Sequence, residues 1–202
     1  LKGKRDIPSL LFRNLSPIEN DSFFRKTGKI RIIYAGLLGI AQDVLAICKN
    51  VDFEALNTEL HIYGDGNQKN EILKMAKKGI VYHEPVSKKE IQRLMASFDF
   101  SLIPLRTYIF GAFPSKITAA VASAIPVLFL GEGEGAKVVS DLNIGKSLKF
   151  DDFDLLSKYL IWYSENREEA ARNFYKNLSE AQQNSFDVAT NNQNLINFLK
   201  RL

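Results

Sequence analysis

Between Lys29 and Phe150, six short runs of strand-forming residues alternate with helix-patterned segments, and this alternation constrains the fold more than any other feature of the chain. The runs are Lys29–Ala35, Glu59–Tyr63, Gly79–His83, Asp99–Pro104, Val127–Leu130 and Lys146–Phe150. KIRIIYA, the first, is mostly β-branched or aromatic, the pattern of a strand covered on both faces. A helix between consecutive strands carries the chain back to its starting end, so the strands run parallel through right-handed crossovers. The expected fold is therefore α/β, a doubly wound, mostly parallel six-stranded sheet.

The intervening segments read as helices. Ala41 to Lys49 turns Val44, Leu45, Ile47 and Cys48 inward, and Asn70 to Lys78 turns in Ile72, Leu73 and Met75. Ser87 and Glu90 form a capping box for a helix reaching Phe98. Pro114 opens a helix to Ala124 that is rich in Ala, Ser and Thr, small enough to lie close on a sheet. After Phe150 the chain reads as helical. Asp152 to Ser164 is followed by a helix capped by Asn166 and Glu169 and running to Ala181. A break is expected over 182–190, then a short helix from Asn194 to Leu202. The expected organisation is a linker over residues 1–28 with one short strand near Leu10 to Arg13, a sheet domain over 29–165, and carboxyl-terminal helices over 166–202.

Charge and composition narrow the function. Residues 1–31 hold eight basic and three acidic side chains, a balance of +5, whereas the rest holds 19 basic and 20 acidic, a balance of −1. A neutral body argues against nucleic-acid binding, which needs a basic face on the folded domain. The basic leader suits an anionic membrane surface or a neighbouring domain. Cys48 is the only cysteine, which excludes an internal disulfide and a cysteine metal cluster and points to a reducing, cytoplasmic setting. The opening LKGKRDIPSLLFRNL lacks the length and cleavage site of a secretory signal. The chain starts without methionine and reads as a fragment of a longer protein.

Ligands of doubly wound sheets bind beyond the carboxyl ends of the strands. Here those ends are Gly36 to Ile40, Gly64 to Asn67, His83 to Val86, Pro104 to Pro114 and Gly131 to Ala136, all loops rich in glycine, proline or polar residues. Two of them lead into helix starts, where free N–H groups and the positive dipole end favour phosphate. Lys116 lies in the first helical turn after Pro114. A cation there is disfavoured by ~0.3–1 kcal/mol, so a nearby anion accounts for it. His61 reads as a core residue and His83 as a rim residue. GxSxG, HExxH and P-loop patterns do not occur, no metal or cofactor is expected, and no catalytic residue is assigned. GEGEGA, Gly131 to Ala136, satisfies the dinucleotide fingerprint, with Asp151 twenty residues on. It follows the fifth strand rather than the first, which leaves an NAD(P)-binding domain as a lesser reading.

Four stretches, taken in order, resemble the carboxyl-terminal, nucleotide-sugar-binding half of GT-B retaining glycosyltransferases of the glycogen-synthase-like group. They are IRIIYAGLLGIAQDVL, LHIYGDGNQKNEI, VYHEPVSKKEIQRLMASFDFSLIPL and FPSKITAAVASAIPVLFLGEGEGAKVV. The resemblance implies a Rossmann-like, metal-independent donor-binding domain that moves a sugar from a nucleotide diphosphate sugar to a hydroxyl acceptor in polysaccharide biosynthesis. It places the donor on Gly36, Gly39, Gly64, Asp65, Ser115, Lys116, Glu134, Gly135 and Ala136, with the base near His83 to Val86. It also implies a missing amino-terminal acceptor domain, without which the fragment does not turn over. Leu37 and Gln42 stand where many members have Arg and Lys, and Gly111 and Ala119 where many have two glutamates. Arg106 or Glu134 could replace them. The alternative is a non-catalytic partner module that kept the fold.

Overall fold

The computed structural model describes residue 15 and residues 28–75, 79–107 and 113–200. The leader, the short strand expected at Leu10 to Arg13, and Gly111 lie outside the described residues. Six strands form one sheet: β1 Ile30–Ala35, β2 Thr58–Tyr63, β3 Ile80–His83, β4 Phe100–Pro104, β5 Val127–Leu130 and β6 Gly145–Leu148. Their spatial order is β3-β2-β1-β4-β5-β6, and every pairing is parallel. The direction of winding reverses between β1 and β4, where Ile32 pairs with Phe100. Such a switch point leaves a crevice at the carboxyl ends of the strands.

Helices cover both faces because alternate residues of each strand point to opposite sides. Ile30, Ile32, Tyr34, Leu60, Ile62, Phe100 and Leu102 pack under α1 (Val44–Asn50), α2 (Lys69–Lys74) and α6 (Phe153–Glu165). On the other face Ile33, Ile103, Val127 and Phe129 pack under α3 (Lys88–Met95), α4 (Ser115–Ala122), α5 (Glu134–Asp141) and α7 (Arg167–Asn184). The small residues of α4 do what their size suggests: Thr118, Ala120 and Ala122 are buried.

Helix boundaries differ from the sequence reading for local reasons. Pro114 is the N-cap of α4 rather than its first residue, and the helix stops at Ala122 before Ala124 turns left-handed with φ 49°. The helix expected from Ala41 starts at Val44, because Asp43 is itself left-handed (φ 43°) and caps α1 by accepting from Ala46 N. Asn166 makes no side-chain cap to α7; its Nδ2 donates back to Trp162 O at 2.8 Å. α7 also continues through Asn184, so the break is confined to Ser185–Asp187. Asp187 caps α8 (Val188–Leu199) by accepting from Thr190 N at 2.7 Å, which starts this helix six residues earlier than expected. β6 begins one residue early, at Gly145, where a Cβ would lie 1.9 Å from Val127 O.

One buried ion pair ties the elements together at the amino ends of β1 and β4. Asp99 is 3% exposed and Arg167, the first residue of α7, 8%. Arg167 Nη2 donates to both carboxylate oxygens at 2.6 and 2.7 Å, and Nε to Oδ1 at 3.1 Å. Asp99 Oδ2 also accepts from Arg31 N at 2.8 Å, and Arg167 Nη1 donates to Gly28 O at 2.7 Å.

Candidate functional site

A cavity of about 630 Å³ opens at the switch point. Its polar side is built by three turns. Gly36 ends β1, and its N–H donates to Tyr63 O at 2.9 Å; Leu38 N donates to Asp65 O at 2.9 Å. These bonds press the loop after β1 onto the loop after β2 so closely that a Cβ on Gly64 would lie 2.0 Å from Gly36 O. Tyr82 OH donates to Gly64 O at 2.8 Å from behind. The third turn is the start of α4, whose first amides, at Ser115 and Lys116, have no intrahelical acceptor.

Gly64→Ala should therefore push the two loops apart. An overpacked contact of this kind costs about 1–3 kcal/mol. Urea unfolding is expected to show that loss, and isothermal titration the loss of any ligand held between the loops. An unchanged unfolding midpoint would mean the loops can separate freely.

Lys116 lies across the floor of the cavity. Its Cε and Nζ are 2.7 and 2.9 Å from where a Gly36 Cβ would stand, so the missing side chain at Gly36 (φ 150°) is what makes room for it. Its Nζ is 5.8 Å from the Tyr34 ring centroid, a cation over an aromatic face. Burial lowers the Lys116 pKa. Among the described residues no carboxylate pairs with this ammonium. An ammonium drawn out of water without a counter-ion is costly, and an anion in the cavity would relieve that cost.

The other end of the cavity is apolar. Tyr63, Pro85, Val86, Ile91 and Met95 form an apolar slot there. Behind it sit the two histidines. His61 Nδ1 and His83 Nε2 are 3.0 Å apart, His61 Nε2 is 3.3 Å from Glu59 Oε2, and the His83 ring stacks on Tyr63 at 4.1 Å. Lys29 holds the far side of Glu59 at 3.1 Å. Burial lowers both histidine pKa values, and the Arg31 charge adds to it; the Glu59 carboxylate opposes the shift at His61. The unfolded chain thus binds protons more readily than the folded one below the ordinary value of 6.5. Stability from this pair is complete above that pH and is lost as pH falls through it toward the lower folded values. The urea midpoint is expected to drop between about pH 7.5 and about pH 5.5, and His83→Gln should flatten that dependence.

The loop after β1 is held from outside the cavity by a network of which sequence reading named only Arg106, there as a replacement in the donor site, whose lining it does not join. Gln68 N donates to Leu38 O at 3.1 Å, and Gln68 Nε2 to Asp43 Oδ1 at 2.7 Å. Arg106 forms an ion pair with Asp43, and its N–H donates to Ala41 O at 2.9 Å. These contacts join residues 25 to 65 positions apart, so no local pattern announces them.

Of the residues singled out from sequence, Gly36, Gly64, Asp65, Ser115 and Lys116 line this cavity together. Gly39 closes the turn before α1, its carbonyl accepting from Gln42 N and Asp43 N, and lies just outside the lining. Glu134, Gly135 and Ala136 are not part of the lining. The glycine at 135 serves packing, since a Cβ there would come within 2.9 Å of the Phe129 ring and 3.2 Å of Ile117. Ala119 does face the cavity. A second, charged cavity of about 440 Å³ at the same rim, lined by Arg106, Glu132, Lys149, Asp151 and Asp152, takes in the start of the GEGEGA turn.

A sequence-family profile described as Glycosyl transferases group 1 matches residues 29–158. Comparison with curated protein sequences gave no match. Among solved structures, S. aureus TarM in complex with Fondaparinux, alpha-GlcNAc-glycerol and UDP superposes with a TM-score of 0.73 at 16% identity, over 96% of this chain and 40% of its own. Anabaena HepE in complex with UDP-glucose gives 0.71 at 17% identity, over 86% of this chain and 49% of its own. This chain thus spans less than half the length of either. The C-terminal domain of a glycosyl transferase group 1 family protein (LpcC) from Francisella tularensis gives 0.62 at 12% identity, with 82% and 96% covered. At these identities the likeness speaks for the fold alone.

Proposed function

The chain belongs to the glycosyl transferases group 1 family, and we propose that it is the donor-binding half of a retaining, metal-independent enzyme that moves a sugar from a nucleotide diphosphate sugar to a hydroxyl acceptor. The observation that carries this reading is Lys116, a largely buried ammonium lying over the Gly36 backbone beside the first amides of α4, with no carboxylate partner among the described residues. When the glycosidic bond to the donor breaks, negative charge builds on the departing diphosphate. Prepositioned donors in a partly dry site stabilise that charge with little reorganisation. Lys116 and the amides of Ser115 and Lys116 would supply them, and the slot of Tyr63, Pro85, Val86 and Ile91 would take the base.

The acceptor site and catalytic base would come from an amino-terminal half, so the 202-residue chain alone would bind donor without turnover. WaaG, a further structural neighbour, is described as involved in lipopolysaccharide biosynthesis. That description favours a glycan-building role; from the single cysteine and the basic leader we further propose that it is carried out on the cytoplasmic side of a membrane. No helix among the described residues is long and apolar enough to cross a membrane.

Thermal unfolding with UDP, GDP, their glucose and mannose conjugates, and NAD tests the reading. A ligand at one hundred times its Kd contributes about 2.7 kcal/mol, a rise of roughly 5–10 °C for a chain of this size. A rise with a nucleoside diphosphate and none with NAD is expected. No rise with any diphosphate would remove the enzyme assignment. A second reading, a partner module that kept the fold, draws on Leu37, 63% exposed where many members of the resembling group have a cation, and on Ala119 in the cavity. Nucleotide binding without sugar transfer by the full-length protein would favour it.

A further inference from the structure

At the amino end of β6, far from the strand ends that form the donor cavity, α6 and α7 enclose a groove of about 440 Å³ that shares no lining residue with it. Trp162 forms one wall. It stacks on Tyr159, with ring centroids 5.6 Å apart and planes 26° from parallel, yet keeps 46% of its surface exposed. Lys146 Nζ lies 5.6 Å from the Tyr159 ring centroid, and Lys158 stands on the same helix as both aromatics. Asn143 and Asn173 complete the polar lining. Among the described residues neither lysine has a carboxylate partner, no acidic residue lines the groove, and neither asparagine side chain has a hydrogen bond.

We propose that this groove is a secondary binding site for an acidic saccharide, a sugar chain bearing carboxylate or phosphate groups. The exposed indole offers an apolar face to the C–H side of a sugar ring, as amphipathic aromatics do at wet interfaces. The asparagine amides match hydroxyls as donors and acceptors. The two lysines select negative charge. The volume falls in the range of small-molecule sites. A lipid surface fits less well, because the groove is concave whereas a bilayer face is broad and flat. The site does not depend on the donor reading, since it would hold a glycan in place whichever nucleotide binds at the rim.

Trp162 is the only tryptophan, so fluorescence excited selectively in the indole band, where the seven tyrosines do not absorb, reports on this groove. Titration with an oligogalacturonate tetramer is expected to give a saturable change that persists in excess UDP. The variant Lys146→Gln/Lys158→Gln, checked for an unchanged melting temperature, should bind at least about tenfold more weakly, as expected for losing one or both of two charged hydrogen bonds. Failure to respond at millimolar tetramer, equal binding by the double variant, or a response only to vesicles of phosphatidylglycerol would overturn the proposal. Thermal shift with UDP on the same sample tests the donor site separately, so the two can fail independently.

Discussion

Lys116→Met is expected to raise the melting temperature of the ligand-free protein and to abolish its stabilisation by nucleotide. The two effects have one cause. In the empty cavity the ammonium is largely desolvated and has no carboxylate partner among the described residues, so a side chain of similar length without charge removes a penalty. On the donor reading, a bound diphosphate would accept charge-assisted hydrogen bonds from the same ammonium worth about 1.5–3 kcal/mol, and losing them would weaken binding by tenfold to more than a hundredfold. Proton linkage gives an independent check. The folded-state pKa of Lys116 lies below its ordinary value of 10.5, so between the two the unfolded chain holds more protons and stability rises with pH. That gain should be present in the parent protein and missing in the methionine variant. A variant less stable than the parent, yet still stabilised by nucleotide, would show that the lysine is structural.

Arg167→Met is expected to be the most destabilising substitution of a charged residue, at about 3–5 kcal/mol, with a fall of roughly 10 °C or more in melting temperature. Asp99 would be left buried without its counter-ion, its carboxyl keeping only the Arg31 N–H among the described residues. The pair is not thereby a net source of stability, since taking two charges out of water costs nearly what their attraction returns. Asp99→Leu/Arg167→Met should accordingly recover most of the loss, though not the bond from Arg167 to Gly28 O. Urea unfolding of both single variants and the double measures the coupling. A single-variant cost below about 1 kcal/mol would place the pair among solvated surface contacts.

Much of the fold was legible because period and punctuation agreed. β5 spans Val127–Leu130, as its β-branched and aromatic residues between Pro126 and Gly131 suggest. Capping was harder to read. Ser87 caps α3 by accepting from Glu90 N as its motif implies, whereas Asn166 turns back to the preceding helix and Asp187 starts α8 in a stretch that reads as a break. A side chain with two possible backbone partners does not reveal its choice in sequence.

The cavity divides the same way. Gly36, Gly64 and Lys116 could be read because glycine at a strand end and a cation at a helix start are both unusual. Gly135 looked equivalent but answers to a different need, close approach of α5 to Phe129 and Ile117. A glycine that lets two loops and a lysine close on a cavity and one that admits a neighbouring helix are the same letter. Asp43, Gln68 and Arg106 become a unit only in three dimensions.

The contact of Gly64 with the Gly36 carbonyl bears on how such proteins diverge. The floor there is main chain laid against main chain, so its contour depends on few residue identities beyond the glycines and the lysine laid over them. A floor of this kind asks little of the side chains around it, and substitutions there need not change its outline. Changes in the walls can then alter what the depression admits and leave the ground beneath untouched.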